Sequence, residues 1–210
     1  MVRSRRSRVG WRPIACLALG LAATASALAQ QADGQKRVTT IDHAVELYIS
    51  NDALEAQYVR TLDLGDLGAT EVKAGFFYNE DRDLIGIGDL LANIGDDVGL
   101  RRFDVRVGTR VYGMFLAPED QDVFGIGVGG EAQWFIDSAR TTSVMLGLFY
   151  APDIVTFGQA DNVQDATLRF MTKLRNGFDV FVGYRNFRID IQPQDREVDD
   201  NLHLGFRRSF

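Results

Sequence analysis

Between residues 43 and 210 apolar and polar residues alternate almost one for one, and Gly, Asp, Asn and Pro interrupt the alternation at intervals. A period of two sends successive side chains to opposite faces of an extended chain, so the pattern predicts strands and an all-β fold. About ten such stretches can be drawn, each roughly ten residues long, the length a tilted strand needs to cross a membrane's hydrocarbon layer. The clearest lie in the centre. Phe103, Val105, Val107, Val111 and Phe115 share one face of a stretch whose other face carries Asp104, Arg106, Gly108 and Arg110. In the next, Phe124, Ile126, Val128, Ala132, Trp134 and Ile136 oppose Gly125, Gly127, Gly129, Glu131 and Gln133. Residues 70–78, 144–150, 166–174, 178–187 and 201–210 repeat the scheme. The stretches 45–49 and 54–58 are weaker, and a short amphipathic helix through 53–61 is an alternative for the second. Residues 84–92 lose phase around Asp89, which predicts a bulge there.

The architecture expected is a transmembrane antiparallel up-and-down β-barrel of about ten strands, with eight as the alternative count, over residues 43–210 after a polar lead-in at 30–42. An even number of strands returns both ends to one side. Asn176-Gly177, a tight hairpin signal, falls on that side. The two longest expected connections, 151–163 and 191–200, fall on the other, as periplasmic turns and external loops should. A soluble periplasmic lipocalin-like barrel would show the same alternation with its apolar face turned inward around a ligand. Two features favour lipid outside. Gly125, Gly127 and Gly129 fit beside bulky Arg106 and Arg110 in a narrow lumen better than on a solvated surface. Aromatics also gather near strand ends, with Tyr78, Phe115, Tyr150 and Tyr184 at one level and Phe103, Trp134, Phe178 and Phe210 at the other, like the girdles of membrane barrels. The lumen is then expected to be lined by Asp104, Arg106, Arg110, Glu131, Arg169, Lys173 and Arg185. Those side chains either fill it as an ion-pair network or line a narrow, weakly anion-preferring pore.

Residues 1–29 read as a secretory signal peptide. Arg3, Arg5, Arg6, Arg8 and Arg12 form a basic start, an apolar run follows from Ile14 to Leu28, and Ala27-Leu28-Ala29 fits cleavage after Ala29. Removal leaves 18 basic against 29 acidic residues, a net charge of −11, and no cysteine. Such a chain has no disulfide to support it in an oxidising compartment and no basic patch for nucleic acid. No apolar run after residue 29 approaches the ~20 residues of a transmembrane helix, so nothing would arrest export at the inner membrane.

Leu202, Leu204, Phe206 and Phe210 form one face of the closing stretch. It resembles the C-terminal strand by which outer-membrane barrels are recognised for insertion, although Arg208 breaks the apolar row. The runs GIGVGGEAQW at 125–134, FYAPD at 149–153, Arg169-Phe170, GYRNFRI at 183–189 and the Gly205-Phe206 ending are similar to the YfaZ family of outer-membrane β-barrel proteins. The resemblance covers most of residues 70–210. It implies residence in the outer membrane of a Gram-negative bacterium, contact with outer-membrane lipid and lipopolysaccharide, and delivery by periplasmic chaperones to the barrel-assembly machinery. It supplies no catalytic residue.

Chemistry is sparse. The two histidines, His43 and His203, are expected near opposite ends of the barrel, ~25 Å apart across its apolar band, too far for a dyad or a zinc site. There is no cysteine nucleophile after the leader and no Gly-x-Ser-x-Gly elbow. The chain is therefore expected to be no enzyme and to hold no cofactor or metal in its lumen. The expected external loops are acidic, with Glu80, Asp81 and Asp83, Glu119, Asp120 and Asp122, and Asp195, Glu197, Asp199 and Asp200. They form a solvated surface or, as the alternative, share divalent cations with lipopolysaccharide.

Overall fold

The alternating stretches become long antiparallel strands in the computed structural model, which describes residues 39–64, 69–94, 102–117, 121–174, 176–191 and 194–210. The expected signal peptide and residues 30–38 of the lead-in lie outside that set. In chain order the strands are β1 Thr39–Ile49, β2 Ala53–Asp63, β3 Ala69–Asn79, β4 Leu84–Asn93, β5 Phe103–Leu116, β6 Gln121–Phe135, β7 Thr142–Ala151, the short β8 Thr156–Gly158, β9 Asn162–Lys173, β10 Phe178–Ile191 and β11 Gln194–Ser209. Each long strand pairs with the next long strand in sequence, and β1 pairs with β11, so ten strands close a barrel. The closing ladder runs from Ala44↔Ser209 to Ile49↔Leu204, and the Phe210 N–H donates to the His43 carbonyl at 2.9 Å. β8 extends the wall beside β6 where β7 has stopped, pairing Val123↔Gly158 and Gly125↔Thr156 after a single 3₁₀ turn at Asp153–Val155.

Alternation decides which side chains face out. Along β5 the outward positions run from Phe103 through Val107 to Phe115, while Arg106, Arg110 and Tyr112 point in and are buried. At ~3.3 Å per residue and ~40–45° of tilt, that outward row rises ~28–30 Å, the height of a hydrocarbon layer. Tyr78, Tyr150 and Tyr184 are exposed near one end of the barrel, and Trp134, Phe103 and Phe210 near the other.

Residues 53–61 are strand and ten strands close the barrel, as expected, which excludes the helix and the eight-strand count held as alternatives. Other expectations need correction. β1 starts at Thr39, inside the expected lead-in 30–42, because β2 runs on to Asp63 and offers Thr39 and Thr40 partners. β4 has no bulge at Asp89: its pairing with both β3 and β5 is unbroken. The pattern loses phase there because Ile85, Ile87 and Leu91 face inward with Asp89, whereas Gly86 and Gly88 face out. Of the expected loop 191–200, residue 191 and residues 194–200 are strand. β10 and β11 stay paired to Ile191↔Gln194, and polar residues on both faces of the hairpin disguised it as one. The connection 152–161 holds the 3₁₀ turn and β8.

The inward glycines serve other neighbours than the arginines expected. A Cβ on Gly127 would lie 3.3 Å from Cε2 of Tyr112, and one on Gly125 3.8 Å from its Cδ2, so these positions admit the Tyr112 ring. At Gly205 a Cβ would stand 2.2 Å from Cζ of Phe181 and 2.5 Å from the Leu47 carbonyl oxygen. Because one obstacle is backbone in the closing ladder, Gly205→Ala should destabilise the barrel by about 1–3 kcal/mol, seen as a lower urea midpoint in detergent.

Candidate functional site in the lumen

The interior is filled in two layers. Towards the end that carries the acidic turns, β1, β3, β5 and β10 turn Tyr48, Phe77, Tyr112 and Phe187 inward. Phe77 and Phe187 meet edge-on at 6.2 Å between centroids, Tyr112 lies 5.7 Å from Phe187, and Tyr48 lies 6.3 Å from Phe77. Ile85, Met114, Leu116, Val163 and Ile189 complete an apolar plug. Its residues come from strands on every side, so the plug spans the bore rather than coating a wall.

Below it lies a continuous array of charges. Arg110 donates from Nε and Nη2 to the two carboxylate oxygens of Asp89, each at 2.7 Å, and from Nη1 to Asp165 at 2.7 Å. Arg185 grips the same Asp165 from Nε at 3.0 Å and Nη2 at 2.8 Å, and reaches Glu55 from Nη1 at 2.5 Å. Asp89, Arg110, Asp165, Arg185 and Glu55 thus form a chain from β4 through β5, β9 and β10 to β2, crossing the bore twice. Further towards the strand end that holds Phe210, Lys73 pairs with Glu131 at 2.5 Å, and Arg106 pairs with Glu71 at 2.7 Å and Glu131 at 3.3 Å. Arg169 pairs with Glu46. The two layers are joined by cation–π contacts, with the Arg185 guanidinium 4.7 Å from the Phe187 ring centre and 5.2 Å from that of Phe77. A cavity of about 20 Å³ remains among Glu55, Lys73, Arg110, Glu131, Arg169 and Arg185, enough for one water.

Of the lining residues expected, Arg106, Arg110, Glu131, Arg169 and Arg185 are buried in this array. Asp104 is half-buried near the end of the bore and accepts from Asn93 at 2.6 Å, while Lys173 is exposed at the rim. Glu46, Glu55, Glu71, Lys73, Asp89 and Asp165 were not anticipated as members. Their signal was parity alone: each sits on the same face of its strand as a residue the pattern turns inward. His203 is buried between Tyr48 and Phe181, whereas His43 faces outward beside Tyr58, its Nδ1 within hydrogen-bonding reach of the phenol. The rings lie on opposite faces of the wall and form no dyad.

The acidic end is latched. A bulge opposite Phe187 and Arg188 turns both Val198 and Asp199 inward, which bends the tip of the β10–β11 hairpin over the mouth. Arg196 at that tip donates to both oxygens of Asp83, at 3.0 and 2.8 Å, and Asn79 Nδ2 donates to the Val198 carbonyl at 3.3 Å. Tyr48 donates to Asp199 from below. Arg196→Ala should free the tip, and limited trypsin digestion should then cleave after Arg188, whose side chain is already half exposed, faster than in the parent protein. Several of the acidic residues described at this end have protein partners: Asp83 takes Arg196, Asp199 takes Tyr48 and Asn201, Asp200 takes Tyr184 and Asn186, and Glu197 takes Arg188. Among the described residues no group of three or more His, Asp or Glu side chains is arranged to hold a metal ion. Glu119 and Asp120 lie outside the described residues.

Comparison with solved structures matches the barrel to the crystal structure of the outer membrane channel DcaP of Acinetobacter baumannii, at a TM-score of 0.42 and 11% identity, over 79% of this chain and 54% of that one. This chain thus spans about half the length of that channel. No family model matches the chain, and no curated protein does. The short motifs read in the sequence as resembling the YfaZ family are therefore matched by no family model. Of these, GYRNFRI falls in β10, where Arg185, Phe187 and Ile189 enter the lumen, and FYAPD ends β7 at the wall insertion that precedes β8.

Proposed function

We propose that this protein is an integral outer-membrane β-barrel of a Gram-negative bacterium, of the YfaZ kind, with a lumen closed to ions at rest and a structural or surface-binding role. One observation carries the reading: the described wall faces out with an apolar band, while the described bore holds an apolar plug above a paired charge array, with a cavity of about 20 Å³ among its charges. A soluble ligand-binding barrel needs the reverse, a wettable exterior around an open apolar pocket. The same reading assigns the protein no catalytic activity. Acidic turns would face outwards beside lipopolysaccharide, and both strand termini would face the periplasm, where chaperones and the barrel-assembly machinery deliver the chain.

The test is refolding of residues 30–210 in detergent, a heat-dependent gel shift and conductance across a planar bilayer. A shifted but electrically silent protein is expected. Discrete conductance steps would overturn the closed lumen and favour a small ion pore, the reading that the row of buried charges would otherwise support. Loss of the shift would remove the membrane barrel itself. Deleting Phe210 takes away an exposed aromatic and its backbone bond to His43, and should lower the membrane-inserted fraction in cells. Normal membrane levels of the truncated protein would refute a role for the closing strand in insertion.

A further inference from the structure

The outward band is uneven, and it is thinnest where the barrel closes. On β5 the outward apolar row extends from Phe103 to Phe115, ~40 Å along the strand. On β1 it extends only from Val45 to Ile49, ~13 Å along the strand, before His43 follows on the same face. Register places two arginines beside that histidine. His43 stands opposite Arg60 of β2, and the adjacent outward position, Val45, stands opposite Arg208 of β11. Both arginines are exposed on the lipid-facing side. Arg208 uses one of its five N–H donors on the Asn176 carbonyl. Tyr58, Phe206 and Phe210 surround the group with exposed or half-exposed rings of the kind found at headgroup level.

A guanidinium facing lipid costs ~2–4 kcal/mol at the bilayer midplane and ~0–1 kcal/mol at its interface. Two of them next to a band this short belong at headgroup level, and a short apolar span is met by local thinning of the bilayer, which brings headgroups to it. We infer that Arg60, Arg208 and His43 form a docking site, on the outer wall of the closing seam, for the phosphate of an anionic phospholipid of the periplasm-facing leaflet. Planar guanidinium groups bind phosphate oxygens in pairs, His43 adds a ring N–H, and the neighbouring Val45, Tyr58, Phe206 and Phe210 contact the acyl chains. The site rests on the membrane-barrel reading above. It also gives Arg208 a purpose where the insertion strand would otherwise carry an apolar residue.

The test is reconstitution into vesicles of mixed phosphatidylcholine and phosphatidylglycerol, extraction in mild detergent, and native mass spectrometry of the lipid that stays bound. Phosphatidylglycerol should be retained in preference to phosphatidylcholine. Arg60→Gln with Arg208→Gln should cut that retention at least about tenfold while the heat-dependent gel shift persists. The charge-keeping pair Arg60→Lys with Arg208→Lys should recover part of it, short of the parent because an ammonium cannot bind phosphate oxygens in pairs, and Lys173→Gln, at the rim of the bore, should leave it unchanged. Equal retention of the two lipids, retention untouched by the double glutamine variant, or displacement of the bound lipid by free inorganic phosphate would each overturn the site. If the parent protein fails to insert into vesicles at all, the membrane reading fails with it. Insertion without lipid preference removes the docking site alone.

Discussion

Asp165→Ala should be among the most damaging single substitutions in this barrel. The carboxylate accepts from both Arg110 and Arg185 and has no solvent exposure. Its loss leaves two buried guanidinium groups sharing only Asp89 and Glu55. Removing one partner from a buried ion pair typically costs ~3–5 kcal/mol, because the remaining charge is uncompensated, even where the intact pair adds little net stability. The expected result is a large drop in the urea midpoint and loss of the heat-resistant gel form. Asp165→Asn, which keeps the shape and can still accept, should fall between. A parent-like midpoint for the alanine variant would show that the bore is hydrated well beyond one water.

The second large effect is on conductance. The plug and the charge array obstruct the bore in series, so breaching one should leave the other shut. Arg106→Ala with Arg110→Ala should stay silent in a planar bilayer, because Phe77, Phe187, Tyr48 and Tyr112 still meet above. Phe77→Ala with Phe187→Ala should be silent too, since Arg185, Asp165 and Arg110 still span the lumen beneath. The four substitutions together should conduct. Phe187→Ala alone carries a stability cost of about 3–5 kcal/mol, so each variant must first show the heat-dependent shift. Current through the arginine pair alone would mean that the aromatic rings form no seal.

The outer wall was legible in the sequence because lipid imposes one demand on every outward position it covers, and the rows from Phe103 to Phe115 and from Leu202 to Phe206 satisfy it without any knowledge of neighbouring strands. The interior was legible only in part. Period two assigns a face, but neither a height nor an opposite wall, so Arg110 and Arg185 were placed inside while Asp165, which joins them across three strand spacings, passed unnoticed. The same limit hid the plug. Where inward residues are apolar, as Ile85 and Ile87 are, the contrast between faces vanishes and β4 looks out of phase. On the β10–β11 hairpin the converse holds: beyond the lipid both faces are polar, and strand reads as loop. The glycines were placed on the correct face, but their neighbour, Tyr112, was invisible until the fold set its ring against β6.

The ladder between β1 and β11 is only six residue pairs long, against fourteen between β10 and β11, and it is the one junction in the wall that does not join consecutive long strands. All other pairings can form by successive hairpins, each closing a short loop, whereas this one must bring together the two ends of the sheet. Until it does, both terminal strands present unsatisfied N–H and C=O groups, a template for intermolecular pairing. The commitment step for this chain is therefore ring closure rather than strand formation, and the competing fate at that step is the aggregate.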